Sequence, residues 1–539
     1  MRRRVMSMLV GAALAASTLL GAGPAAAAAP PPEFGSDWHD PVTAAPPVPK
    51  PHTRSCEVAV AEAQFKDFTP YVGTYDPPKQ CGEGRPGKWG KVVLRLDGKV
   101  KGRQYDRLGY LRIGGVEILR TSTPEPSADG ITWSVEKDVT RYSETLSRHQ
   151  QVEMLIGNVV NDTYTGIIDV KATLTFYERE SRGHRHTQAP VPDRVIPLGD
   201  STTLTTPRNS ERIVAEVYAT GSGGGCEEYW YLTVPATAPY SCKADNGPYR
   251  EVQVKVDGQL AGVAAPFPTV WTGGWSNPFL WYVIPGPRAF DIKPLEYDLT
   301  PFAGILNDGR QHQVEVSVVG VPEAQTGWST PVNVLVWQDE KSDHVTGRLT
   351  RHQEGAVANE STYRPGSGGE AHRLDTEGGH RLSLSGYVKT SHGRVTTTVT
   401  RALANTSVHR WTDGEAMDAL EATWTDRETV TTGHRAVRTD RTYTMDGTTT
   451  LGAGDRLRTA ISLGDRAESV TTGDGRRSDR VVLDDRYDGD ATYTANVPRD
   501  QRHAVGTSRE RYRLIGDAGC YNRTLSTVQG TLTEDRRRC

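Results

Sequence analysis

Long apolar runs are scarce in this chain. Apart from one stretch near the N-terminus, the 539 residues hold no apolar segment of membrane-spanning length, which excludes a bundle of membrane helices. There are only 6 methionines and 8 phenylalanines, and the net charge is −3. No global field therefore favours nucleic acid or an anionic membrane, and neither nucleic-acid binding nor membrane insertion is expected. Cysteine is limited to 6 residues with no C-x-x-C, so thiol redox chemistry and a cysteine-type zinc site are not expected. H-E-x-x-H and G-x-S-x-G are both missing, which removes the signatures of a zinc protease and of a serine nucleophile elbow. Residues 82–88 spell G-x-x-x-x-G-K, but Trp89 stands where a magnesium-binding Ser or Thr belongs and no helical pattern follows. His184 and His186 sit in an arginine-rich stretch. Neither pattern supports a cofactor or a metal, and none is expected.

Turn residues are abundant. The 55 glycines and 33 prolines suit many short strands rather than long packed helices. Arg2, Arg3 and Arg4 precede an apolar run over 9–20, and small residues follow around 25–29. This is the pattern of an export signal over 1–29, so a secreted, extracellular protein is expected. Residues 30–54 are rich in Pro and Ala and read as an extended leader. The cysteines suit an oxidising compartment. They fall as three sequence-local pairs, and although six cysteines allow fifteen connectivities, nearest-neighbour bridges are expected: Cys56–Cys81, Cys226–Cys242 and Cys520–Cys539.

Two stretches repeat one pattern. Val92, Leu94 and Leu96 alternate with polar residues, and Gly114-Gly115 separates two β-like runs, as a primed hairpin turn requires. Val252, Val254 and Val256 alternate likewise, and Asp257-Gly258 forms the turn. Downstream, Asp138-Val139-Thr140 with Gln151-Val152-Glu153 matches Asp298-Leu299-Thr300 with Gln313-Val314-Glu315. The expected fold class is all-β: two tandem eight-stranded antiparallel jelly-roll sandwiches, at 55–180 and 190–340, plus a C-terminal all-β region at 350–539. That last region is rich in Thr, Arg and Asp, with a modest core and its dense charge expected at the surface.

Two segments could carry chemistry on carboxylates. Asp106 lies in Gly102-Arg103-Gln104-Tyr105-Asp106-Arg107, just ahead of the glycine hairpin. From spacing alone, an ion pair at a strand end is the commoner arrangement there. The other segment is Gly225-Cys226-Glu227-Glu228-Tyr229-Trp230-Tyr231. Read as a strand, it puts Glu228 on one face with Trp230, and an acid beside an exposed indole is suited to sugar. Core aromatics with solvated acids fit the same letters. Trp271, Trp275 and Trp281 add candidate stacking surface.

At these segments the chain resembles the peptide N-glycanase type A family of plants, fungi and bacteria. The likeness is carried by 101–107, 115–120, Glu125-Pro126, 133–138, 161–166, Glu228-Tyr229-Trp230-Tyr231 and Ser385-Gly386-Tyr387-Val388. It implies a glycoamidase that cleaves the amide between an asparagine side chain and the innermost N-acetylglucosamine, with N-glycopeptides and N-glycoproteins as substrates. A weaker likeness to the bacterial type F glycanase implies a primary catalytic role for Asp106 and a supporting one for Glu228. Its third functional glutamate falls nearest Asn158 by register, and Glu153 lies too early. Under these resemblances Tyr105, Trp230 and Trp275 contact sugar, Arg107 and Arg120 orient Asp106 or polarise the carbonyl, and Asn158 and Glu227 complete the substrate site. Two acids sharing one cleft at the junction of the sandwiches would suit acidic pH, since like-charged neighbours favour a shared proton.

Other classes use similar residues. A lectin would use the aromatics without hydrolysis, and a glycoside hydrolase would use two carboxylates but leave one sugar on the peptide. A copper oxygenase on paired jelly rolls would need histidines in both modules, and 190–340 holds only His312.

Overall fold

The structure, a computed structural model, describes residues 29–81, 89–179, 191–199, 202–222, 225–244, 246–271, 277–321, 327–473, 478–517 and 519–539. The apolar N-terminal run, the 82–88 stretch, His184, His186 and Trp275 lie outside them. The described elements are antiparallel strands, short 3-10 turns and one short α-helix, Ala303–Leu306. No helix among the described residues is long and apolar enough to cross a membrane.

Alternation builds the first sandwich. In Trp89–Lys101, Leu94, Leu96 and Val100 are buried while Arg95 and Lys99 are exposed, the period-two pattern of a strand with one face on a core. One four-stranded sheet runs Ser55–Phe65, Ile167–Glu178, Trp89–Lys101, Ile131–Asp138. The other runs Tyr71–Tyr75, Gln150–Ile156, Leu108–Ile113, Val116–Ser122. The hairpin turn has φ of 59° at Gly114 and 79° at Gly115, as its glycines predict.

The next stretch repeats the strand order. Its sheets run Arg194–Pro197, Val332–Gln338, Ser210–Val217, Leu295–Asp298 and Thr203–Leu204, His312–Val318, Val252–Val256, Gln259–Ala264. With the short pair Thr220–Gly221 and Trp328–Ser329 set apart, both stretches read first–eighth–third–sixth and second–seventh–fourth–fifth. The predicted Asp257-Gly258 turn is present, with φ of 48° and 76°.

Residues from Thr346–Glu354 to Thr531–Arg538 form one 11-stranded antiparallel sheet, a meander with Ala358–Arg364 pairing off its main path. One face packs on the second sandwich. Trp424 meets Trp230 edge-on at 5.5 Å between ring centroids, and Tyr487 stacks on Trp281 at 4.7 Å. Its charge lies mainly outside the core, as expected, with a few buried exceptions. Arg401 is buried with Asp426 at 2.6 Å and reaches Glu428 at 3.1 Å, and buried Asp465 holds Arg288 at 2.6 Å. Desolvated charges of this kind persist only when paired.

The leader is a strap. Ser36 accepts from the Ala128 amide at 2.8 Å, Val42 donates to Val283 at 2.8 Å, and Phe34 donates to Ala504 at 2.7 Å. It thereby ties both sandwiches to the large sheet. The disulfides are Cys56–Cys81, Cys226–Cys242 and Cys520–Cys539, and each closes a loop worth about 3 kcal/mol in the chain-entropy model.

Candidate active site

Asp106 lies in the connection between Trp89–Lys101 and Leu108–Ile113, and this connection is organised around a buried amide, Gln104. Gln104 donates through Nε2 to the carbonyls of Val159 and Gly166, both at 3.0 Å. Its Oε1 accepts from the Tyr105 amide at 3.0 Å and from Arg107 Nε at 3.1 Å and Nη2 at 2.5 Å. Arg107 N–H donates to Thr123 Oγ1 at 2.9 Å, and Thr123 N–H returns to the Arg107 carbonyl at 2.9 Å. The backbone on both sides of Asp106 is thus held, and Arg107 is aimed by a neutral acceptor. Burial lowers the Arg107 pKa, and Asp106 supplies the strongest charge opposing that effect.

Asn158 belongs to the support of this connection. It is fully buried, and its Nδ2 donates to Phe65 at 2.8 Å and to Gly166 at 3.0 Å. Its Oδ1 accepts from Val159 N–H at 2.8 Å. A substrate role, expected from register, finds its amide already committed to backbone.

The second segment departs from the strand reading. Cys226–Leu232 is a 3-10 turn with a kink at Tyr229, and its period of about three residues sorts the side chains differently from a strand. Glu227 and Trp230 fall together, against Trp328: Trp328 Nε1 donates to Glu227 at 2.5 Å, and the Trp230 and Trp328 rings lie 6.4 Å apart. Glu227 also takes both arms of buried Arg250, at 3.0 and 2.7 Å. It anchors the turn, with its carboxylate committed to Arg250 and Trp328. Trp230 is only 4% exposed and packs in the core, so the expected exposed indole is absent. Trp271 and Trp281 are buried as well.

Glu228 is neighboured by Tyr229. The Tyr229 hydroxyl hydrogen-bonds Glu228 and lies within the field of Asp106. Burial, then Glu228, then Asp106 push its phenol above the ordinary range, so it stays protonated.

Arg120 sits elsewhere. It is buried at the junction of the sandwiches, donating to Glu117 at 2.7 Å, to the Tyr218 carbonyl at 3.0 Å and to Thr220 Oγ1 at 2.7 Å. Expected as a partner of Asp106, it is instead a strap holding the segment that leads to Glu228.

The exposed aromatic at Asp106 is Tyr105, at 44%. Its ring lies 4.9 Å from that of Tyr164, and the guanidinium carbons of Arg103 and Arg107 stand 5.6 and 6.0 Å from the Tyr164 ring centroid. Sequence reasoning does not single out Tyr164 or Glu125 as site residues, although both fall in segments that carry the family likeness. Glu125 is 7% exposed. Burial, then the charge of Asp106, push its carboxyl well above the ordinary range, against Arg499, Arg502 and Arg103.

A cavity of about 830 Å³ lies elsewhere, against Arg95, Asp97, Lys99 and Lys171. It touches neither Asp106 nor Glu228. Among the described residues one set of possible metal ligands gathers, Glu211, Asp339 and His392, none of them from the segments around Asp106 and Glu228.

The family model for peptide N-acetyl-beta-D-glucosaminyl asparaginase amidase A matches residues 45–355. The chain belongs to this family. One relative in it, the peptide-N4-(N-acetyl-beta-glucosaminyl)asparagine amidase A of Prunus dulcis, is 31% identical over 389 residues, covering 65% of this chain and 66% of that protein. Among solved structures, PNGase F, a glycosylasparaginase from Flavobacterium meningosepticum, aligns at 10% identity and a TM-score of 0.34, covering 53% of this chain and 96% of that one. PNGF-II aligns at 14% identity and a TM-score of 0.34, covering 53% and 66%.

Proposed function

We propose that this member of the amidase A family is a secreted glycoamidase. It hydrolyses the β-aspartylglucosaminyl amide of N-glycopeptides and N-glycoproteins, converting Asn to Asp and releasing the glycan as a glycosylamine. The observation that supports the reading is that the Tyr229 phenol hydrogen-bonds Glu228 and also feels the charge of Asp106, an acid of the other sandwich. The repeated strand orders support two jelly rolls as the scaffold. The basic, apolar, small-residue N-terminus and the three disulfides support export.

Asp106 takes a proton from a water as the water oxygen adds to the side-chain carbonyl carbon. A new C–O bond forms, and the carbonyl π electrons move onto oxygen. The intermediate collapses with loss of the C–N bond, and the proton held by Asp106 passes to the departing nitrogen. Arg107, aimed by Gln104, supplies positive charge close to Asp106, where the oxyanion develops. Glu228, hydrogen-bonded by Tyr229, positions the N-acetylglucosamine. Tyr105 and Tyr164 offer an aromatic face to the sugar.

Incubation of a purified N-glycopeptide with mass readout tests the reading. The expected products are the Asp peptide and the complete glycan, with loss of both in Asp106→Asn. A peptide retaining one N-acetylglucosamine would identify a glycoside hydrolase. Binding without turnover would identify a lectin.

A further inference from the structure

Four of the large hydrophobic side chains that stay exposed among the described residues gather at one end of the first sandwich. They are Phe68 at 66%, Tyr105 at 44%, Ile167 at 39% and Val160 at 37%. Single exposed hydrophobics are ordinary, but several collected in one place and rimmed by polar groups mark a binding surface.

The strand order brings them together. Phe65 pairs with Ile168, Lys101 with Ile167, and Val100 with Ile131, so four connections leave the sandwich at the same end. By the order of the sheet, 66–70, 157–166, 102–107 and 123–130 stand side by side. The connection holding Asp106 is third in this row, and 157–166 lies between it and Phe68.

Hydrogen bonds lock the first three connections into one surface. Val160 N–H donates to the Lys66 carbonyl at 3.0 Å, and Gly157 N–H to the Leu108 carbonyl at 3.0 Å. Gln104 Nε2 donates to the Val159 carbonyl at 3.0 Å, and Gly166 N–H to the Arg103 carbonyl at 3.0 Å. Phe68 rests on Gly157, where a Cβ would stand 2.9 Å from Phe68 Cε1 and 3.6 Å from the Leu108 carbonyl oxygen. The ring therefore covers the backbone that is bonded to Leu108, two residues beyond Asp106.

The residue types divide this surface in two. Tyr105 and Tyr164 lie 4.9 Å apart with Arg103 5.6 Å from the Tyr164 ring centroid, and they combine aromatic faces with polar groups, as a sugar requires. Phe68, Val160 and Ile167 carry no polar side-chain atom and offer a hydroxyl no hydrogen bond. They suit apolar side chains, which gain by leaving water. An N-linked substrate brings both parts at once, a glycan and the polypeptide that flanks its asparagine.

We propose that Phe68, Val160 and Ile167 form a docking surface for the polypeptide of the substrate, selecting apolar residues near the glycosylated asparagine. This rests on the glycoamidase reading and adds a peptide specificity to it. Two strand spacings of about 4.8 Å separate the 66–70 and 102–107 connections, a distance that about three extended residues span. The selected residue therefore lies about three positions from the asparagine.

The test is steady-state kinetics of the full chain on three substrates that carry one glycan. They are a peptide with Leu three residues to either side of the asparagine, the same peptide with Ser there, and the glycosylated asparagine alone. Wild type should show a KM about tenfold lower for the Leu peptide than for the Ser peptide. Phe68→Ser and Val160→Ser change exposed positions and should keep the melting temperature. Together they should raise KM for the Leu peptide about tenfold, with kcat within about threefold, and leave the other two substrates unchanged. Equal KM for the Leu and Ser peptides would overturn the docking surface. So would a Leu preference that survives both substitutions, or an equal loss on all three substrates. Wild-type protein that releases no glycan would instead overturn the glycoamidase reading, and calorimetric binding of the two glycopeptides, with and without the substitutions, would still decide the surface.

Discussion

Glu510 sets a pH dependence of stability that can be worked from its surroundings. It is buried in the large sheet, where burial first, opposed by the Ala44 amide, Arg523 and a hydrogen bond with Asp485, pushes its carboxyl up from 4.5 to about 7. Ala44 N–H donates to Oε2 at 2.8 Å, so the group also holds the leader strap. Asp485 is raised by its own burial and then by Glu510 and Asp465, against the charge of Arg288. Tyr487 and Tyr512 complete the surroundings. Because the folded-state pKa is raised, the folded protein holds a proton that the unfolded chain releases. The stabilisation is complete below pH 4.5 and is lost as pH rises through about 7. Each pH unit between those limits removes about 1.4 kcal/mol, a total of about 3 kcal/mol. Glu510→Gln is neutral at every pH and still offers an oxygen to Ala44. Urea unfolding should therefore show the variant near wild type at pH 4.5 and more stable by about 3 kcal/mol at pH 8. A difference between the two proteins that does not change over this range would refute the reasoning.

Other variants probe the site itself. Asp106→Asn should lower kcat by about a hundredfold or more, with the melting temperature retained, because it removes the proton acceptor without altering volume. Tyr229→Phe takes away the hydroxyl shared with Glu228, so kcat should fall about tenfold in the glycan-release assay while the fold is kept. Glu227→Ala leaves Arg250 buried without its counter-charge, and thermal unfolding should show a loss of about 3–5 kcal/mol. That variant separates the anchor acid from Glu228, whose replacement by Gln should spare stability and reduce turnover.

Local features are legible in the residues alone. The Gly114-Gly115 and Asp257-Gly258 turns declare themselves because positive φ is an intrinsic preference of a few residue types. Period-two alternation exposes the strand character of Trp89–Lys101 for a similarly local reason. The disulfides join neighbours in sequence, so proximity along the chain is a sufficient guide. The segment holding Glu227 and Glu228 is misread as a strand because a short 3-10 turn shares its letters, and only the choice of period decides which acid faces Arg250.

The all-β character, the internal repetition and the candidate acids can all be read from the residues in order, since each depends on interactions between near neighbours. Other features exist only once the sheets have packed: Trp230 as core, Arg120 as a strap, and the Tyr229 phenol hydrogen-bonded to Glu228 in the field of Asp106. Packing of separate sheets is fixed by the burial of whole faces, and no local run of residues encodes it.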